Sequence, residues 1–209
     1  MKVLLVNGSP NAKGCTYTAL MEIAGALEKN GVEWEIFDVG SDPIRGCAAC
    51  FGCETTGGCC AFDDDKVNQF IARAKEADGI VFGSPVHYGS ASGSITSMLD
   101  RAFFAADPSV YRGKPAAVVV SCRRAGSTAA IEQLMKYPTI SQMIVVNSQY
   151  WTMVHGAEAE EVKQDLEGMQ TMRVLGNNMA WLLKCLEAGR AAGITAPEME
   201  ERAWTNFVR

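Results

Sequence analysis

Residues 2–18 read Lys2-Val3-Leu4-Leu5-Val6-Asn7-Gly8-Ser9-Pro10-Asn11-Ala12-Lys13-Gly14-Cys15-Thr16-Tyr17-Thr18. This stretch decides the fold. The run from Lys2 to Asn7 is a short apolar segment that stops at Gly8-Ser9-Pro10, as a buried strand does. From Thr16 to Lys29, apolar Leu20, Ile23, Ala24 and Leu27 recur at helical spacing until Asn30-Gly31. Between them lies a turn of small and hydroxyl-bearing residues. A turn that leads from a buried strand into a helix N-terminus offers free backbone N–H groups and the positive end of the helix dipole, which suit a phosphate.

The same alternation continues outward. Strands are expected over Val32 to Val39, Asp78 to Gly83, Pro115 to Ser121 and Gln142 to Val146. Helices are expected from Asp63-Asp64-Asp65 through Ala74, over Ala91 to Phe104, over Gly126 to Lys136, and as one long helix from about Glu158 to Ala188. The tail from Gly189 to Arg209 is amphipathic at best, and Gly40 to Phe62 is a long Gly- and Cys-rich loop. Strands separated by helices imply a parallel sheet covered on both faces. The chain therefore reads as one α/β domain over 1–209, with a 157–209 C-terminal helical segment.

Composition narrows the function classes. The chain has 209 residues, 48% hydrophobic and 21% charged, with a formal net charge of −5. Disordered and fibrous architectures are excluded, and no basic stripe offers a nucleic-acid footprint. No apolar run reaches the roughly 20 residues of a membrane span. The apolar N-terminal run is too short for a signal peptide, so a soluble, cytoplasmic enzyme is expected, with neither nucleic acid nor membrane as partner.

Ligands in such sheets sit beyond the carboxyl ends of the strands. The first turn lacks Gly-x-Gly-x-x-Gly, and Gly14 is followed by Cys15 where a P-loop needs Lys. A phosphate would be held there by hydroxyls and amides; the plainer reading is a Ser/Thr-rich helix start that binds nothing. The next turn carries Pro85-Val86-His87-Tyr88-Gly89, whose aromatic and amides suit a flat conjugated ring. After the fourth strand comes Ser121-Cys122-Arg123-Arg124-Ala125-Gly126, whose arginines suit the edge of such a ring or a nucleotide phosphate, or else a solvated turn. Tyr150-Trp151 suggests a buried contact, in a ligand pocket or a subunit interface. No His–carboxylate or Ser–His pairing points to a catalytic acid, base or nucleophile.

Five of eight cysteines fall between Cys47 and Cys60. Cys47-x2-Cys50-x2-Cys53, with Cys60 as fourth thiolate and Cys59 as the alternative, can wrap a cubane cluster. Structural zinc sites more often split their ligands into two separated pairs. A reactive dithiol, a disulfide or an idle reduced loop are the other readings. Cys122 and Cys185 read as ordinary buried thiols.

Taken together, Gly8-Ser9-Pro10…Gly14-Cys15-Thr16, the Cys47…Cys60 segment followed by Asp63-Asp64, the stretch Ala77-Asp78-Gly79-Ile80-Val81-Phe82-Gly83-Ser84-Pro85-Val86 and Leu99-Asp100-Arg101 resemble the flavodoxin-like NAD(P)H-dependent FMN reductases, including their iron–sulfur flavoprotein branch. The resemblance implies a three-layer fold with a five-stranded parallel sheet in the order 2-1-3-4-5. It implies bound FMN, NAD(P)H as co-substrate, a [4Fe-4S] cluster in the branch, and homodimers or homotetramers. Ser9, Asn11, Gly14, Cys15, Thr16 and Tyr17 are then expected near the FMN phosphate. Pro85, Val86, His87, Tyr88 and Gly89 are expected along the ring, with Ser121, Arg123 and Gly126 completing the site. The expected activity is electron transfer from NAD(P)H through FMN to a flavin, quinone, nitro compound, iron–sulfur centre or protein acceptor, with the flavin carrying the chemistry. A flavodoxin-type carrier and a cysteine-based redox or metal sensor are the alternatives.

Overall fold

The structure is a computed structural model that describes residues 1–205. In chain order the main elements are β1 (Lys2–Asn7), α1 (Cys15–Lys29), β2 (Glu33–Asp38), α2 (Val67–Glu76), β3 (Gly79–His87), β4 (Ser90–Ala91), α3 (Gly93–Ala105), β5 (Pro115–Cys122), α4 (Ser127–Ile140), β6 (Ile144–Val145), β7 (Met153–His155), α5 (Ala159–Val162) and α6 (Leu166–Ala191). The sheet runs β2-β1-β3-β5-β6 with parallel pairing along this path. This is the expected flavodoxin-like order, with two additions that bring the sheet to seven strands. β4 folds back antiparallel on β3, and β7 pairs parallel with β5 beyond β6. The fifth position is thus filled by two short pieces, and Tyr150-Trp151 lies in the segment between them.

The strands are apolar on both faces because both faces are covered. Leu4, Val6, Ile80, Phe82 and Val118 pack towards α2, α3 and α4 in one core, while Val3, Leu5, Val81, Ala117 and Val119 pack towards α1 and α6 in the other. Every residue of β5 is buried, as its unbroken Ala-Ala-Val-Val-Val run requires.

Several sequence expectations are corrected. Asp63-Asp64-Asp65 precedes α2 and does not form its first turn. Asp65 Oδ1 accepts the Val67 N–H at 3.1 Å, while its other oxygen pairs with Arg101. The single long helix is two, because Asp165 caps α6 by accepting the Gly168 N–H at 2.9 Å and so ends α5 before it. β3 runs on to His87 where the sequence suggested a loop after Gly83. Its Pro85 is tolerated because β1 pairing ends at Gly83, so no neighbour there needs the missing N–H. Cys185 is exposed, not buried. Tyr150 and Trp151 stand in edge contact at 5.1 Å and are exposed on the single chain, as residues that meet a ligand or a second subunit are. The tail from Ala192 to Thr205 has no regular structure; the expectation for 206–209 lies outside the described residues. Among the described residues no helix is long and apolar enough to cross a membrane.

Candidate functional site

The β1–α1 turn is built by its own side chains. Asn7 Oδ1 accepts the Ser9 N–H, Ser9 Oγ accepts the Asn11 N–H, and Asn11 Oδ1 accepts the Lys13 N–H, at 3.1–3.2 Å. Ser92, the N-cap of α3, donates from its hydroxyl to the Gly8 carbonyl at 2.7 Å, and Gly8 N–H donates to Gly83 O at 2.8 Å. A Cβ on Gly8 would come within 2.7 Å of Gly83 O and of the Ile95 side chain, so only glycine allows this approach.

The turn delivers the chain to an open helix start. Gly14 is the N-cap of α1; no side chain caps it and no acidic residue occupies the first turn, among the described residues. The first helix-internal bonds begin at Thr18, whose N–H and hydroxyl both reach Gly14 O. The N–H groups of Cys15, Thr16 and Tyr17 belong to the set that a helix cannot satisfy itself. The Ser9 hydroxyl of the same turn accepts from Asn11 and makes no donor bond among the described residues. This donor set fits a phosphate monoester. Thr16 Oγ1 is instead engaged with the buried Ser121 Oγ at 2.9 Å, tying α1 to β5. Ser121 therefore shapes the cradle from behind. Cys15 Sγ is turned towards Gly156 O at 3.5 Å, which leaves its N–H as the group available to a ligand. Burial pushes the Cys15 thiol up from its ordinary value, and nearby Glu161 and Glu158 add to the effect.

Next to β1 at the same sheet edge is the β3–β4 hairpin. Its tip, Tyr88-Gly89, has positive φ at both residues, the geometry of a tight hairpin turn. Tyr88 is held there in a conformation unfavourable for a bulky side chain, with its ring fully exposed beside His87. The hairpin is pinned from below and behind. Ser84 Oγ accepts the Ser92 N–H at 2.9 Å, and Gln133 Oε1 accepts from the Ser90 hydroxyl and the Ala91 N–H at 2.6 and 3.0 Å. Gly126, at φ +91, lies so close that a Cβ would sit 2.7 Å from Gly89 Cα and 2.9 Å from Val86. Sequence reasoning missed Ser92 and Gln133, which carry no motif. Pro85, Val86, His87, Tyr88, Gly89 and Gly126 are brought together; Arg123 is exposed in the turn before α4.

The cysteine loop occupies a second place. It leaves β2 at the carboxyl edge and is bonded to Arg101 on the flank of α3. Cys47, Cys50, Cys53 and Cys60 line one pocket with Phe51, Phe62, Phe104 and Arg101. Cys59 is not in that lining, and its side chain is exposed. Burial pushes the Cys53 thiol up, and Cys60, Cys50 and Cys47 act on it as neighbouring like charges. Among the described residues no group of three or more His, Cys, Asp or Glu is arranged to hold a single metal ion. The pocket lining nevertheless holds four thiols and no carboxylate, the soft donor set that iron–sulfur clusters use. The two places share one spine: Ser92 at the start of α3 holds the turn, and Arg101, roughly 14 Å further along the axis, holds the cysteine loop.

The family model for NADPH-dependent FMN reductases matches residues 1–158. An iron–sulfur flavoprotein of Methanocaldococcus jannaschii is 30% identical over 194 residues, covering 90% of this chain and 100% of the relative. One from Archaeoglobus fulgidus is 31% identical over 192 residues, covering 87% and 97%. Among solved structures, RosB with bound 8-demethyl-8-formylriboflavin-5'-phosphate superposes with a TM-score of 0.68 at 14% identity, covering 100% of this chain and 93% of that one. At that identity the likeness speaks for the fold alone.

Proposed function

The chain belongs to the NADPH-dependent FMN reductase family, and from that premise we propose that it moves electrons from NAD(P)H through FMN to an acceptor by way of an iron–sulfur site in the cysteine pocket. The observation that carries the flavin half is the uncapped N-terminus of α1, entered through a turn that its own side chains hold in shape. The amides of Cys15, Thr16 and Tyr17 and the Ser9 hydroxyl would bind the phosphate. Asn11 and Thr16 keep those donors aimed, and Pro85 to Gly89 would bound the ring. When bound, FMN supplies a hydride acceptor that can release electrons one at a time. Fixed backbone donors at the hairpin and first turn need no reorganisation when negative charge develops on a bound ligand.

The cysteine half is supported by the shared pocket of Cys47, Cys50, Cys53 and Cys60, and by the two iron–sulfur flavoprotein relatives aligned over most of their length. These four thiolates would hold the cluster, which supplies one-electron storage. Cys47 and Cys50 are exposed, so the site stands at the protein surface. That favours a protein as the electron acceptor over a small molecule confined to the flavin.

The test is anaerobic purification and reconstitution, followed by an absorbance spectrum, iron and sulfide analysis, and NAD(P)H oxidation assays. Bound FMN with iron and sulfide, and turnover with an added acceptor, is the expected result. A colourless protein that takes up neither FMN nor iron would end the proposal.

A further inference from the structure

One wall of the cysteine pocket is a buried guanidinium. Arg101 is 2% exposed. It pairs with Asp65, donates through Nη2 to Phe62 O at 2.8 Å and through Nη1 to Arg45 O at 3.4 Å. Those bonds already staple the loop to α3. Its Nε–H is left over, and it donates to Cys60 Sγ at 3.3 Å. A guanidinium keeps its proton in a protein, so the group beside this sulfur is a permanent cation.

Cys60 is also gripped by its backbone. Asn68, on the first turns of α2, accepts the Cys60 N–H at 2.7 Å and donates to the Cys60 carbonyl at 2.9 Å. A third bond, from Asn68 to Asp63 at 3.0 Å, holds the amide in place. Amide, carbonyl and sulfur of this one cysteine are thus fixed by two helices. Among the described residues, neighbouring Cys59 has only its carbonyl engaged, by the Thr56 hydroxyl, and it is not in the pocket lining. A loop that merely needed anchoring would not require a donor on the sulfur itself. A hydrogen bond to a ligating sulfur withdraws electron density and makes a cluster easier to reduce.

We propose that Asn68 and Arg101 are positioning residues that fix Cys60 as the fourth thiolate of the pocket, and that the Arg101 Nε bond to its sulfur sets the reduction potential of the bound cluster. This rests on the iron–sulfur reading of the pocket given above. Neither residue touches the flavin cradle, so FMN content serves as an independent check on folding.

The experiment uses the full chain, anaerobically reconstituted with iron and sulfide, as wild type and as Arg101→Gln, Asn68→Ala, Cys59→Ala and Cys60→Ala. Iron per FMN, the midpoint potential and the EPR spectrum of the reduced protein are measured. Cys59→Ala should match wild type, and Cys60→Ala should lose most of its iron. Arg101→Gln should keep FMN, shift the midpoint to more negative potential and alter the EPR signature. Asn68→Ala should keep FMN and lose iron several-fold faster to a chelator. If wild type binds FMN but no iron, the iron–sulfur reading fails and this inference with it. If wild type is loaded while Arg101→Gln and Asn68→Ala are indistinguishable from it, or if Cys59 proves the required thiol, this inference alone fails. Should Arg101→Gln not fold, the chelator rate of Asn68→Ala decides.

Discussion

Replacing Gly14 by Asp tests the cradle through two effects of opposite sign. Gly14 has φ −88 and ψ −160, extended backbone open to any residue. A Cβ there would first meet the Asn11 side chain, at 3.2 Å, which can yield. The new carboxylate would cap the open N-terminus of α1. Relative to Gly, an Asp cap contributes a few tenths of a kcal/mol, and its charge at the positive end of the dipole adds about 0.3–1 kcal/mol. The apoprotein should therefore gain about 0.5–1 kcal/mol. The same carboxylate occupies the amides a phosphate needs and repels it. Two charges about 4 Å apart oppose each other by roughly 1 kcal/mol in water and roughly 4 kcal/mol near a protein surface. That converts to FMN binding weakened about five-fold to several-hundred-fold. Riboflavin has no phosphate and should bind wild type and Gly14→Asp alike. Urea denaturation of the apoprotein and fluorescence titrations with FMN and riboflavin give all three numbers. Equal weakening for both flavins, or no weakening for FMN, would refute a phosphate site at this helix end.

Gly126→Ala should push the hairpin off its seat: a left-handed alanine costs about 1–2 kcal/mol, and the contacts at 2.7 and 2.9 Å add overpacking. Lower stability with at least ten-fold weaker flavin binding is expected from the same titrations, and an unchanged flavin affinity would remove the hairpin from the site. The Tyr111 hydroxyl is buried without a partner among the described residues, and burial alone pushes its pKa up. Tyr111→Phe should raise stability by about 1 kcal/mol; a clear fall in Tm would show that the hydroxyl is satisfied. The raised Cys15 thiol pKa means a smaller thiolate fraction at any given pH, so alkylation of Cys15 in the apoprotein should set in at higher pH than for an ordinary exposed thiol. Added FMN should slow it further, as peptide mass spectrometry across a pH series would show, and FMN-independent labelling would place Cys15 away from the ligand.

How much was legible depended on the range of the interaction concerned. Strand and helix periodicities are local, and β1, α1, β2 and β5 lie within a residue or two of where Lys2-Asn7, Thr16-Lys29, Val32-Val39 and Pro115-Ser121 put them. The turn between β1 and α1 was equally readable as a turn, since its shape is set by bonds between residues two apart, from Asn7 to Lys13. The break between α5 and α6 was missed because apolar periodicity runs through it, while Asp165 also turns an oxygen to the His155 N–H ten residues earlier. Ser92 and Gln133 carried no signal, since a serine or glutamine matters only through what lies across the fold from it.

From the sequence alone follow the layered sheet, the small-residue turn between β1 and α1, and a close set of thiols with Cys60 as its fourth member and Cys59 as the alternative, because alternation, turn chemistry and spacing are written in neighbouring residues. Only the tertiary structure put Cys60, and not Cys59, in the lining of a pocket on the flank of α3 and brought Arg101 to the sulfur of Cys60. That choice arises from a buried charge seeking partners 36 and 41 residues away along the chain, which no local pattern records.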